Sequence, residues 1–181
     1  MLTITVPGCE WLDETQGRFM KTADTVLMLE HSLVSVHKWE QRHCKPFLSS
    51  EHKTDAECMD YVRCMTLTQN VNPLVYSALT PELLKNIDKY IEAPMTATWF
   101  SEEKTPGPIN RKTVTAEVIY YWMITLGIPW ECRKWHLNTL MTLIRVCNAK
   151  NAPKRQRSQR EMIAERRMLN KMRREQTGSR G

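Results

Sequence analysis

Two strongly apolar stretches, Thr115 to Leu126 and Glu131 to Cys147, meet at Gly127-Ile128-Pro129, and no other part of the sequence restricts the fold as much. Each has apolar residues recurring at three- and four-residue spacing, the period of a helix. Glycine ends one helix because it tolerates left-handed backbone, and proline begins the next because its missing N–H would find no partner in the first turn. The expectation is an αα-hairpin. Its first helix places Val118, Ile119, Trp122, Met123 and Leu126 on one face. Its second places Leu137, Leu140, Met141, Ile144 and Cys147 on one face and Trp135, Leu143 and Val146 on another. A helix apolar on two faces needs two covers, so one face is assigned to the core and the Trp135, Leu143, Val146 face to a partner. Of the clustered Trp122, Trp130 and Trp135, at least two are assigned to the core.

The preceding chain supplies what this hairpin packs against. Leu2–Val6 alternates and is rich in β-formers, Glu10–Thr22 holds a Glu-Thr-Gln-Gly turn between two short runs, and Thr25–Glu30 reads as a further strand. This predicts an N-terminal β-hairpin or three-stranded sheet over about residues 1–31. Ser32 caps a helix that ends before Pro46, with Leu33, Val36, Trp39 and Glu40 on one side. Thr54 with Glu57 forms a capping box before Cys58, Tyr61, Val62 and Met65. Thr80-Pro81-Glu82 starts a helix bearing Leu83, Leu84, Ile87, Tyr90 and Ile91 and stopping near Pro94. Met95–Lys112, with Pro106, Gly107 and Pro108, reads as a surface loop.

Charge divides the chain. Lys150–Gly181 holds 11 basic and 3 acidic residues, a balance of +8, leaving 15 basic against 17 acidic before it, or −2. The fold expected is therefore mainly α, one domain over residues 1–149 and a basic tail over 150–181. The tail lacks aromatic residues and cannot build a core, but Met162, Leu169 and Met172 make the stripe of a marginal amphipathic helix. With Trp135, Leu143 and Val146 they are the candidate partner-binding residues.

Reactive chemistry finds no foothold in these spacings. His43, Cys44, His52, Cys58 and Cys64 lack the close pairing of zinc ligands. No Ser sits in a GxSxG elbow, and His31, His37 and His136 read as structural histidines. Neither GxxxxGKS nor GxGxxG occurs. No catalytic residue, metal or cofactor is expected. No run of about 18 apolar residues marks a membrane span, and no signal peptide is recognisable, so the six cysteines are expected as reduced, small, buried hydrophobes. Arg155, Arg157, Arg160, Arg166, Arg167, Arg173 and Arg174 form a strip, if helical, that a nucleic acid could use, but no aromatic residue is present for stacking, and a solvated or protein-binding tail is favoured.

Three stretches and the basic ending, taken as a set, carry a resemblance: LEHSLVSVHKWEQRHCKPFLS at 29–49, YVRCMTLTQNVNPLVY at 61–76, and TAEVIYYWMITLGIPWECRKWHLNTLMTLIRVCNAKNAP at 115–153. They resemble the small tail assembly chaperones of long-tailed bacteriophages. The resemblance implies a non-enzymatic protein of the infected host's cytoplasm, absent from the finished virion. It implies binding to the tape measure protein, with the tail tube protein and a frameshifted longer form of itself as further partners. It supplies no motif from which site residues carry over. Eleven methionines suit adaptable contacts with a long helical client, although about half or more are expected in the core. Competing expectations are a nucleic-acid-binding accessory protein and a structural tail connector; a homo-oligomer is left open.

Overall fold

The computed structural model describes residues 1–13, 18–100, 113–151 and 159–178. The turn expected at Glu14–Gly17, most of the loop expected at Met95–Lys112 and the side chain of Met162 lie outside these residues. The chain is mainly helical with a small N-terminal antiparallel β element, and it divides into two units, Met1–Asn148 and Ala149–Gly181.

The strands are β1 (Leu2–Val6), β2 (Glu10–Asp13), β3 (Arg18–Lys21) and β4 (Thr25–Leu29). β1 pairs with β4 and β2 with β3, both antiparallel, and partners in both pairs keep one register: Leu2 faces Leu29, Val6 faces Thr25, Glu10 faces Lys21 and Asp13 faces Arg18. The element is thus one long hairpin broken near its middle, where Thr22 still donates its N–H to Cys9 O at 2.9 Å. This settles the choice between a hairpin and three consecutive strands. Alternation sends Ile4, Val6, Leu27 and Leu29 into the core and leaves Thr3, Thr5, Val26 and Met28 exposed. Residues 66–68 line the β4 edge, with Leu67 N donating to Met28 O and Met28 N to Thr68 Oγ1, so this edge is not open.

Helix α1 (Leu33–His43) starts at Ser32, whose hydroxyl accepts from Ser35 N while Ser35 Oγ accepts from Ser32 N. It buries Leu33, Val36, Trp39 and Glu40. Trp39 Nε1 donates to Glu57 O at 2.8 Å, tying α1 to α2 (Asp55–Met65), whose capping box at Thr54 and Glu57 is formed. A one-turn helix, α3 (Leu74–Ser77), precedes α4 (Pro81–Glu92), which is capped by Thr80 and ends before Pro94.

Helix α5 (Ala116–Thr125) has no side-chain cap of its own at Thr115. The buried Glu40 carboxylate serves instead, accepting from Ala116 N at its positive end and from Phe47 N, both at 2.8 Å. Gly127 adopts φ +65° as the helix ends. The next helix does not begin at Glu131. Trp130–Lys134 is a 3-10 helix, Trp135 is extended, and α6 runs from Leu137 to Asn151. The break is set by strand-like pairing, since His136 bridges to Ser32 and Leu137 N donates to His31 O at 2.7 Å. The core of the first unit joins the hairpin to α1, α2, α4, α5 and α6. The second unit contributes α7 (Gln159–Thr177), whose described side chains are exposed.

Several burial expectations are corrected. Cys64 and Cys132 are buried, but Cys44 and Cys58 are exposed, and all six thiols are free. Trp122 packs against the core, whereas Trp130 and Trp135 remain 45% and 47% exposed. Trp130 opens the 3-10 turn, and Trp135 follows it in extended backbone. Of the methionines with described side chains, only Met65 and Met123 are buried, with Met59 and Met141 partly covered.

Candidate functional site

An open groove of about 420 Å³ lies between α2 and α4. Its construction follows from helical spacing. Asp55, Cys58, Met59 and Val62 on α2, and Leu84, Ile87, Asp88 and Ile91 on α4, each repeat as i, i+3, i+4, i+7 and so form one strip per helix. Val62 and Ile87 are buried at the base, while Met59, Leu84 and Ile91 are half-buried. Phe47 closes one end. Its ring lies 4.0 Å from that of Tyr61 and 5.2 Å, edge-on, from that of Trp39, with Lys53 Nζ 4.8 Å from its centroid.

Tyr61 connects this apolar lining to a buried polar network. Its hydroxyl hydrogen-bonds His31 Nδ1 and approaches Ser35 Oγ at 3.4 Å. The His31 and His136 rings stand 5.1 Å apart. His136 Nε2 donates to Tyr90 O at 3.0 Å and its Nδ1 accepts from Asn138 N, so both nitrogens are committed. Tyr90 donates its hydroxyl to Glu30, which also pairs with the Met1 amino group. Burial, reinforced by His136, lowers the His31 pKa to about 4, and burial lowers that of His136. Burial raises both Tyr61 and Tyr90, the latter further through its bond to Glu30. At neutral pH the imidazoles are therefore uncharged and the phenols protonated. The network holds the groove wall in place.

Beside the groove, Lys45 Nζ and Glu57 Oε1 are 2.6 Å apart, and this bond and those from Thr54 hold the Glu57 carboxyl at about 2. Asp60 accepts from Arg42 at 2.8 Å and pairs with His43 at 3.0 Å. His43, Cys44, His52, Cys58 and Cys64 are not gathered around one point, and among the described residues no group of three or more His, Cys, Asp or Glu could hold a metal ion.

Within the first unit, Trp135 does not share a helical face with Leu143 and Val146. Trp135 precedes α6 in extended backbone, whereas Leu143 packs against the core and Val146 is half-buried. Leu169 and Met172 are 46% and 55% exposed on α7. Sequence reasoning missed the groove because it read α2 and α4 one at a time, as Cys58, Tyr61, Val62 and Met65 on one and Leu83, Leu84, Ile87, Tyr90 and Ile91 on the other, without pairing them and without Met59. The signal available was the pair of matching strips, each carrying an aspartate that a core would exclude. Comparison with protein-family models, curated proteins and solved structures returns no match. Among the described residues no helix is long and apolar enough to cross a membrane.

Proposed function

We propose that this chain is a tail assembly chaperone of a long-tailed bacteriophage that holds helical segments of the tape measure protein during tail assembly. The observation that carries the reading is the open α2–α4 groove, lined by one apolar strip from each helix, a surface on which an amphipathic helix can lay its apolar face. Recognition through apolar positions at i, i+3, i+4 and i+7 suits a client made of long, repetitive helix, because many registers satisfy it. The exposed methionines, Met28, Met95, Met168 and Met172, add surface that conforms to varied side chains. On this reading the protein acts in the host cytoplasm and leaves the assembled tail.

Co-expression with the phage's tape measure protein tests it. The wild-type chain keeps the client soluble and co-purifies with it, while Leu84→Glu, which places a carboxylate in the groove, loses co-purification yet retains a wild-type circular dichroism spectrum. A client that stays insoluble and unbound beside the wild-type chain sinks the proposal. A second reading, nucleic-acid binding, is favoured by one observation: Arg166, Arg167, Lys171 and Arg174 are exposed along α7. It predicts DNA or RNA affinity that falls steeply with salt as condensed counterions are released.

A further inference from the structure

The charges that line the groove are unequally engaged. Lys53 lies over the rings of Phe47 and Trp39, at 4.8 and 5.9 Å from their centroids. Asp55 on α2 and Asp88 on α4 are exposed and form no ion pair among the described residues. Asp55 has a structural reason for its place, since a carboxylate in the first turn of a helix answers the positive end of the dipole. Asp88 has no such reason, because it lies past the middle of α4, between the apolar Ile87 and Ile91 of the same strip. Burial pushes the thiol of Cys58 up, Asp55 and Asp88 push it further, and Lys53 opposes them, so these charges gather around one stretch of the groove.

Each wall of the groove is a separate helix carrying one carboxylate, and the lining between them is apolar, with Val62 and Ile87 buried and Met59, Leu84 and Ile91 half-buried. From Leu84 to Ile91 the lining runs for about two turns, roughly 10 Å at the rise of an α-helix. A helix laid along it with apolar residues at i, i+3, i+4 and i+7 rests those residues on the lining and turns its two flanks to the two walls. A lysine or arginine on a flank lays its aliphatic stem on the lining and brings its charge to Asp55 or Asp88. An acidic residue there meets a like charge. An uncharged flank takes water from both carboxylates and returns no partner, which costs affinity.

We infer that the α2–α4 groove selects client helices that carry lysine or arginine on both flanks of the apolar ridge, one cation going to Asp55 and the other to Asp88. The inference rests on the groove receiving a client helix and adds which helices it admits. Because the contact covers about two turns and its ion pairs are exposed, each docking is weak, and the pairs contribute selection more than affinity. On a long client the groove then settles where apolar ridge and flanking cations coincide, and passes over turns that are as apolar but flanked by acid.

Alkylation of Cys58 on the full chain, read by peptide mass, reports occupancy of the groove, with Cys44, exposed and outside it, as the internal reference. The probes are synthetic helical peptides of about five turns that share one leucine ridge at i, i+3, i+4 and i+7 and carry lysine, glutamine or glutamate on its flanks. The lysine-flanked peptide protects Cys58 at roughly tenfold lower concentration than the glutamine-flanked one, as two exposed ion pairs allow, and added salt removes the difference. The glutamate-flanked peptide leaves Cys58 open. Asp55→Lys with Asp88→Lys reverses the order of the lysine- and glutamate-flanked peptides, which a folding defect cannot do; each chain is compared with its own labelling rate without peptide, since the substitutions alter the thiol. Equal protection by the lysine- and glutamine-flanked peptides overturns the inference and leaves the client reading standing. Absence of protection by all three removes the helix-binding groove on which both rest. Labelling of Cys58 that slows when the chain alone is concentrated overturns the inference too, because a second copy then holds the groove. A tape measure protein that fails to co-purify while the lysine-flanked peptide protects Cys58 overturns the choice of client and upholds the selection by charge.

Discussion

Burial of His31 makes its protonation a term in folding. The imidazole is 3% exposed, bonded to Tyr61 and set against a second imidazole, and its pKa falls from the ordinary 6.5 to about 4. The unfolded chain therefore takes up a proton before the folded chain does. The stabilisation is fully present above about pH 6.5 and is lost progressively as pH falls toward 4, by about 3 kcal/mol at the lower limit. The shift of His136 has the same direction and adds to the loss. Urea unfolding at pH 7.5 and pH 4.5 should show this drop, and His31→Gln, less stable at neutral pH, should show a much shallower one. An equally steep loss in His31→Gln would place the titration elsewhere. The sequence identified these histidines as structural, but the partnership of His31 with Tyr61 and His136 joins residues 30 and 105 positions apart, beyond the reach of any local pattern.

At the scale of elements, Gly8 sits where the long hairpin breaks between its two ladders. A Cβ placed there would lie 2.3 Å from Thr22 O, in the segment between β3 and β4, while Gly8 N donates to Asp24. Backbone on both sides leaves little room for relief, so Gly8→Ala should destabilise the fold by roughly 1–3 kcal/mol, read as a lower urea midpoint with an unchanged slope. A wild-type midpoint would mean that the hairpin is free to open at this place. Local signals made most elements legible: the Thr54 and Glu57 capping box, the Ser32 and Thr80 caps, and the helix ends before Pro46 and Pro94 all stand where sequence chemistry puts them. What failed were features decided at long range. The second apolar helix loses its first turn because His136 pairs with Ser32, and α5 takes its cap from Glu40, 76 positions earlier. The groove was hidden for a related reason: periodicity in α2 and α4 reveals an apolar strip but not whether another element of the chain covers it.

For the whole molecule, composition and packing draw the same division. Among the described side chains, every residue of the buried core lies between Ile4 and Ile144, and those of α7 add none to it. Removing the segment after Asn151 therefore removes none of the described core side chains. A chain ending at Asn151 should unfold cooperatively with a midpoint within about 2 °C of the full chain, because a shift of several degrees corresponds to about 1 kcal/mol or more. Its far-UV circular dichroism should lose the contribution of one 19-residue helix. Charge supplies a second readout, since the shortened chain carries 16 basic and 17 acidic residues against 26 and 20 in the whole. Near neutral pH the full chain should bind a cation exchanger through its tail and the shortened chain should flow through. A midpoint lowered by about 10 °C would show that the tail is part of the folding unit, whatever its composition suggests. A retained midpoint with lost cation-exchange binding would assign stability to the first 151 residues and the positive charge to the segment beyond them, leaving the tail free to vary without cost to the fold.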